Sequence, residues 1–251
     1  MCIKVDEQSP MVLILLGPPG AGKGTQCQKL VEALRISHIS TGDILRAHVR
    51  QDTEVGRRIK GIMDEGNLVP DDLVWKMLSD RVAQSDCARG FLLDGFPRTR
   101  EQAESLDSYL SLWKGPKREP HTIVVRLVVS QKSLLQRLAG RQVCPSCGAG
   151  YSAHLRPSKI AAVCDIDGTP LIIRGDDCAA VTFERQRVYE SQITPILGHY
   201  SKRDAVLEID GDRPAQKVTE EILNSIGAVR RAVTADEQNY VGSLSRSKGI
   251  L

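Results

Sequence analysis

The chain has 251 residues, of which 41% are hydrophobic and 26% charged, and its 34 Lys+Arg nearly balance 31 Asp+Glu. That composition argues against global disorder, and a formal charge of +3 is too small to mark a nucleic-acid binder, although basic side chains can still gather around an anionic ligand. The run Met11–Leu16 is far too short to cross a bilayer, and residues 1–10, with Asp6 and Glu7, lack the apolar core of a secretory signal.

In chain order, Met11–Leu16 reads as a buried strand and Lys23–Leu34 as the helix after it. A short strand at Ser37–Ile39 leads to helical stretches near Gly42–Arg50, Glu54–Asp64 and Asp71–Gln84. Phe91–Asp94 is a further strand, followed by a helix near Arg100–Leu110. Thr122–Val129 is the longest β-branched run, and a helix at Gln131–Ala139 follows it. Then comes a cysteine-bearing segment, a long helix from about Val181 to Lys202, a strand at Ala205–Ile209 and a helix at Pro214–Ile226. Five short apolar strands alternating with helices predict a parallel sheet covered on both faces. The cysteine segment breaks this rhythm for about 40 residues, as an inserted lobe would. Gly227–Leu251 is polar with little periodicity and reads as a mobile tail.

The stretch LILLGPPGAGKGT sets Gly17, Gly22 and Lys23 between a strand and a helix. Glycines let backbone N–H groups turn inward around phosphate oxygens, and the helix N-terminus adds a favourable dipole. Lys23 supplies a mobile positive charge, while Gly24 stands where a strict Walker A loop has Ser or Thr, and Thr25 comes one place later. Two more stretches carry polar residues at strand ends, where ligands of doubly wound sheets gather. STGDILR brings Thr41 and Arg46, and LLDGFPRT brings Asp94 and Arg98. Asp94 ends a buried strand, as an acid holding hydrated Mg²⁺ would; a turn-forming Asp is the plainer alternative.

GPPGAGKGT, STGDILR and LLDGFPRT, in this order and spacing, resemble a nucleoside monophosphate kinase of the adenylate kinase type, over residues 11–226. The resemblance implies a P-loop α/β fold with a five-stranded parallel sheet and helices on both faces. It implies an NMP-binding insertion at 40–70, a lid at 141–181, and terminal extensions at 1–10 and 227–251. The implied reaction is reversible phosphoryl transfer from Mg·ATP to AMP, giving two ADP. By position, Gly20, Ala21, Gly22, Lys23, Gly24 and Thr25 match the donor-phosphate loop. Arg46 and Arg98 match the arginines on the AMP phosphate, and Thr41, Val69, Gly95 and Gln102 match the surroundings of AMP. In RLAGR, Arg137 matches an arginine over the donor adenine and Arg141 one on the phosphates. In RGDD and FERQR, Arg174 and Arg185 match arginines reaching the transferring group from the lid side. Asp176 and Asp177 look like lid-hinge acids or a helix start. The implied partners are the nucleotides ATP, ADP and AMP, with neither nucleic acid nor membrane; a cytosolic monomer is expected.

Cys144-x2-Cys147-x16-Cys164-x2-Asp167 has the two-knuckle spacing of a closed zinc site. A lobe of about 40 residues with few aromatics cannot bury a sufficient core, and a structural Zn²⁺ supplies the missing cross-link. Some family members carry Asp in the fourth place, and CDIDG resembles them; His154 and Cys178 compete for that position, and other family members hold the same lid by polar contacts with no metal. The other cysteines, Cys2, Cys27 and Cys87, read as packing or surface thiols. A zinc-ribbon nucleic-acid binder would need a basic stripe, yet residues 143–173 offer only Arg156 and Lys159. No Asn-Lys-x-Asp motif of a regulatory GTPase occurs.

Overall fold

The structure, a computed structural model, describes residues 10–113, 120–152, 157–173, 179–201 and 205–247. Strand β1 (Met11–Leu16) is buried at all six positions and lies at the centre of a five-stranded parallel sheet. Its neighbours are β3 (Gly90–Asp94) on one side and β4 (His121–Val128) on the other. The edges are β2 (Ser37–Ser40), paired to β3, and β7 (Ala205–Asp210), paired to β4. Because both faces are covered, β1 needs no polar face, and its side chains alternate between two cores. Val12, Ile14 and Leu16 join a core with α4 (Asp71–Val82), α5 (Arg100–Ser111) and α7 (Ala179–Tyr200). Leu13 and Leu15 face α1 (Lys23–Leu34), α6 (Gln131–Ala139) and α8 (Ala215–Ser247). Between α1 and α8 the buried Thr219 hydroxyl donates to Gln26 Oε1 at 2.7 Å, and Gln26 Nε2 donates to Ala215 O at 3.0 Å. This exchange satisfies polar groups that burial would otherwise penalise, and it ties the first helix to the last.

Two stretches stand outside this sheet. The first contains α2 (Thr41–Arg50) and α3 (Glu54–Asp64), capped by Ser40 and Thr53, whose hydroxyls accept from Asp43 N and Gly56 N. The second contains a short antiparallel pair, β5 (Arg141–Val143) and β6 (Gly150–Ser152). Periodicity could not reveal that pair, because three-residue strands are too short to carry a pattern. One expectation is corrected: α8 does not end at Ile226 but runs to Ser247. Residues 227–247 contain no proline to stop a helix. Their lack of an apolar stripe concerns burial, not helicity, and was misleading as a sign of a tail. No helix among the described residues is long and apolar enough to cross a membrane.

Candidate functional site

The phosphate loop is shaped by backbone conformations that favour glycine. Gly20 and Gly22 have φ of 83° and 92°. A Cβ on Gly20 would also meet Leu138 Cγ at 2.9 Å, so the loop must pass hard against α6. Gly22 caps α1 with no side-chain hydrogen bond, leaving the helix N-terminus to an outside acceptor. Gly24 and Thr25 lie in its first turn. Lys23 folds back over the loop and donates to Gly17 O at 2.7 Å and Pro18 O at 3.1 Å. Burial lowers its ammonium from 10.5 to about 8; Asp94 opposes the fall, and the charges of Arg98, Arg185 and Arg141 add to it. Arg137 bridges from α6, donating to Ala21 O at 3.3 Å and Gly211 O at 2.8 Å. It therefore joins the loop to the turn after β7.

Asp94 ends β3 beside this loop. Burial raises its carboxyl, but His38, Lys23 and Arg98 outweigh burial and hold it below the ordinary value. It stands ionised, with an arginine, a lysine and a histidine about it. The turn after it depends on Gly95, at φ 80°. A Cβ there would come within 3.0 Å of Arg98 Nη2 and 3.2 Å of Thr41 Oγ1. Arg98 Nε and Thr41 Oγ1 both donate to Gly95 O, each at 2.8 Å. Thr41 is thus not the cap of α2, which is Ser40; its 3%-exposed hydroxyl is tied to the β3 turn instead.

Gln102, also 3% exposed, has a defined amide orientation. Its Oε1 accepts from Arg98 N at 2.7 Å, and its Nε2 donates to Asp71 Oδ1 at 2.7 Å. Asp71 Oδ2 accepts from Thr99 Oγ1, again at 2.7 Å, and Thr99 caps α5. Asp71 escaped the motif reading, because its partners lie about 30 residues away. Pro70 before it is the N-cap of α4. Arg46 pairs with Asp43 at 2.5 Å and packs over Gly42, where a Cβ would meet its Nη1 at 3.0 Å.

Two adjoining clefts result. The first, about 560 Å³, is lined by Thr41, Arg46, Val69, Gly95, Gln102 and the arginines Arg98 and Arg185. The second, about 650 Å³, is lined by Gly17, Lys23, Pro97 and Tyr189 together with Gly95, Arg98 and Arg185 again. Arg98 and Arg185 stand where the clefts meet, so two polyanions could face one another across shared guanidinium groups. Arg185 reaches the junction because α7 packs on Gly66: a Cβ there would lie 3.1 Å from Val181 and 3.2 Å from Arg185 Cγ. Arg174, Asp176, Asp177, Cys178 and His154 lie outside the described residues.

The cysteine segment folds as two matching turns. Cys144 N donates to Ala149 O and Gly148 N to Cys144 O; Cys164 N donates to Thr169 O and Gly168 N to Cys164 O. Gly148 and Gly168 close them at φ 78° and 72°. Asp167 therefore occupies in the second turn the position of Cys147 in the first. Cys144 Sγ is 3.4 Å from both Asp167 carboxylate oxygens, and the Cys147 and Cys164 sulfurs are 3.5 Å apart. The Thr169 backbone N–H, first among several donors, holds the Asp167 carboxyl well below the usual carboxylate range. Donors about 3.5 Å apart are spaced as the edges of a tetrahedral Zn²⁺ site with bonds of about 2.0–2.3 Å. Among the described residues, the lobe's own core is Cys144, Tyr151, Cys164 and Leu171, with Ala149 against it.

The chain is similar to known proteins over most of its length. The family model described as adenylate kinase matches residues 15–205. An adenylate kinase of Finegoldia magna is 45% identical over 216 residues, covering 86% of this chain and 99% of that protein. One of Clostridium acetobutylicum is 42% identical over 219 residues, covering 87% and 100%. One of Desulforudis audaxviator is 46% identical over 220 residues, covering 86% and 100%. The chain belongs to the adenylate kinase family.

Proposed function

We infer that the chain is an adenylate kinase, an enzyme that reversibly transfers a phosphoryl group from Mg·ATP to AMP and yields two ADP. The observation that carries the site reading is the pair of clefts sharing Arg98 and Arg185. In this reading, the backbone from Gly20 to Thr25 and the Lys23 ammonium hold the donor phosphates. Arg137 lies over the donor adenine and Arg141 on the donor phosphates. Arg46 and Arg98 grip the acceptor phosphate, and Thr41, Val69, Gly95 and Gln102 surround the acceptor. Arg185 and Arg174 neutralise the group in transit. Asp94, ionised and at a strand end, suits a hydrated Mg²⁺, which supplies charge neutralisation and alignment when it arrives with ATP.

This chemistry needs no general base, because an AMP phosphate is already largely ionised at neutral pH, its second pKa being about 6. Positioning and charge are the requirement, and arginines serve both because their planar forks stay protonated. Water is the competing acceptor, so a lobe that closes over the clefts prevents hydrolysis. The small core of that lobe supports a structural Zn²⁺ on Cys144, Cys147, Cys164 and Asp167, with all four positions filled and none left for substrate. A coupled assay across AMP, GMP, UMP and CMP, with ATP and GTP as donors, tests the proposal. The expected result is strong preference for AMP with ATP; equal turnover of UMP or CMP would overturn the acceptor assignment.

A further inference from the structure

A second group of metal-ligand side chains lies under the phosphate loop. The β2–β3 register sets His38 opposite Leu92 and Ser40 opposite Asp94. Leu92 faces the core that α1 covers, so His38 and Asp94 face it too. Cys27, fully buried on α1, belongs to that same core. The donor atoms of Cys27, His38 and Asp94 all lie within 4.8 Å of one another. His38 Nε2 and Asp94 Oδ2 are 3.8 Å apart, too far for a hydrogen bond. The His38 Nε2 atom is shielded from solvent and has no hydrogen-bond partner among the described residues. A buried ring nitrogen without a partner is costly, and a cation between it and the carboxylate would supply one.

We propose that Cys27, His38 and Asp94 form an inhibitory site for a borderline-soft divalent cation, Zn²⁺ in particular, distinct from the cysteine lobe. One sulfur, one nitrogen and one oxygen are the donors zinc accepts, whereas Mg²⁺ demands oxygen ligands. Tetrahedral zinc needs its ligand atoms roughly 3.5 Å apart, so the 3.8 Å between His38 Nε2 and Asp94 Oδ2 is already close, and any edge near the 4.8 Å limit must contract by about 1 Å, within reach of side-chain rotation. The fourth position stays open to water, unlike the closed set in the lobe. On binding, the Cys27 thiol gives its proton to solvent. The thiolate and the Asp94 carboxylate then balance the two positive charges. Approach is from the side of His38 and Asp94, which are partly exposed, because Cys27 is enclosed. Bound zinc takes up the Asp94 carboxylate, so Mg²⁺ loses it and phosphoryl transfer slows. The inhibition rests on assigning Asp94 to Mg²⁺; the binding does not.

Equilibrium dialysis of the full-length protein against buffered free Zn²⁺, with metal counted per chain, tests the site in the parent, Cys27→Ser and His38→Ala. The parent should hold one ion more than either variant, whatever the lobe contributes. With Co²⁺ in place of Zn²⁺, the parent should show additional thiolate-to-cobalt absorption that Cys27→Ser lacks. In the activity arm, zinc at saturation should lower parent turnover at fixed Mg·ATP by about tenfold or more, and turnover of both variants far less. Added Mg²⁺ should partly restore the parent. Equal metal content in all three proteins overturns the site. An extra ion that leaves turnover unchanged keeps the site but overturns the inhibition, and with it the assignment of Asp94 to Mg²⁺. His38→Ala covers the case in which Cys27→Ser fails to fold.

Discussion

Keeping the Lys23 ammonium inside the loop costs the folded protein stability, and Lys23→Met should expose that cost. The group falls from 10.5 to about 8, a difference worth roughly 3 kcal/mol. Against this, methionine cannot donate to the Gly17 and Pro18 carbonyls, now 2.7 and 3.1 Å from Nζ. The roughly 3 kcal/mol is the cost of the ammonium relative to a neutral amine, so what methionine further gives up is the neutral amine's bonds to those carbonyls, about 1–2 kcal/mol in all. The variant should therefore be more stable than the parent at neutral pH by about 1–2 kcal/mol, while its turnover falls by orders of magnitude. Proton linkage sets the sign. Below about pH 8, folded and unfolded parent both carry the proton, and the full cost is present. Between about 8 and 10.5 only the unfolded state holds it, so the parent gains stability as pH rises. The advantage of the variant should shrink across that window. Urea unfolding of both proteins at about pH 7 and about pH 9.5 measures it. A variant less stable than the parent at neutral pH, or a gap equal at the two pH values, would refute the reasoning.

Other substitutions probe the remaining groups. Asp167→Ala should lower the zinc content of purified protein from about one ion per chain and lower Tm more steeply than activity, because no lobe ligand touches the reacting phosphates. Elemental analysis checks this; full retention there with loss in His154→Ala would move the fourth ligand. Thr41→Ala removes one of the two donors to the Gly95 carbonyl and should weaken discrimination for AMP over UMP, read as the ratio of kcat/KM values. An unchanged ratio would leave Thr41 as a packing residue. Asp71→Asn sets an amide against the two donors that Asp71 now accepts, from Gln102 and Thr99, so one of them loses its acceptor. At about 1–3 kcal/mol for that loss, KM for AMP should rise roughly tenfold or more with KM for ATP unmoved; equal effects on both substrates would make Asp71 purely structural.

The order of elements was legible in the sequence because the signals that specify it are local. A six-residue apolar run between turn signals reads as a strand buried on both faces, and β1 is one. The glycines of the phosphate loop announce a conformation other residues avoid, and the helix after it begins at Lys23 as expected. The spacing of Cys144, Cys147, Cys164 and Asp167 likewise announced two turns, because each ligand pair is only two residues apart. Where the signal was burial, the reading failed: Gly227–Ser247 has no apolar stripe and was taken for a tail, although it continues α8.

By itself, then, the chain determined a doubly covered parallel sheet, a phosphate loop and a knuckled lobe, each written within a few neighbouring residues. Only the tertiary structure decided that Arg98 and Arg185 serve two clefts at once, since α7 must first pack on Gly66. It alone set Asp71 against Gln102 and Thr99, and it alone turned His38 and Asp94 toward Cys27 through the β2–β3 register. Such contacts join residues tens of positions apart. They depend on strand register and helix packing, which are fixed by the sum of buried contacts and leave no mark in any one stretch of chain.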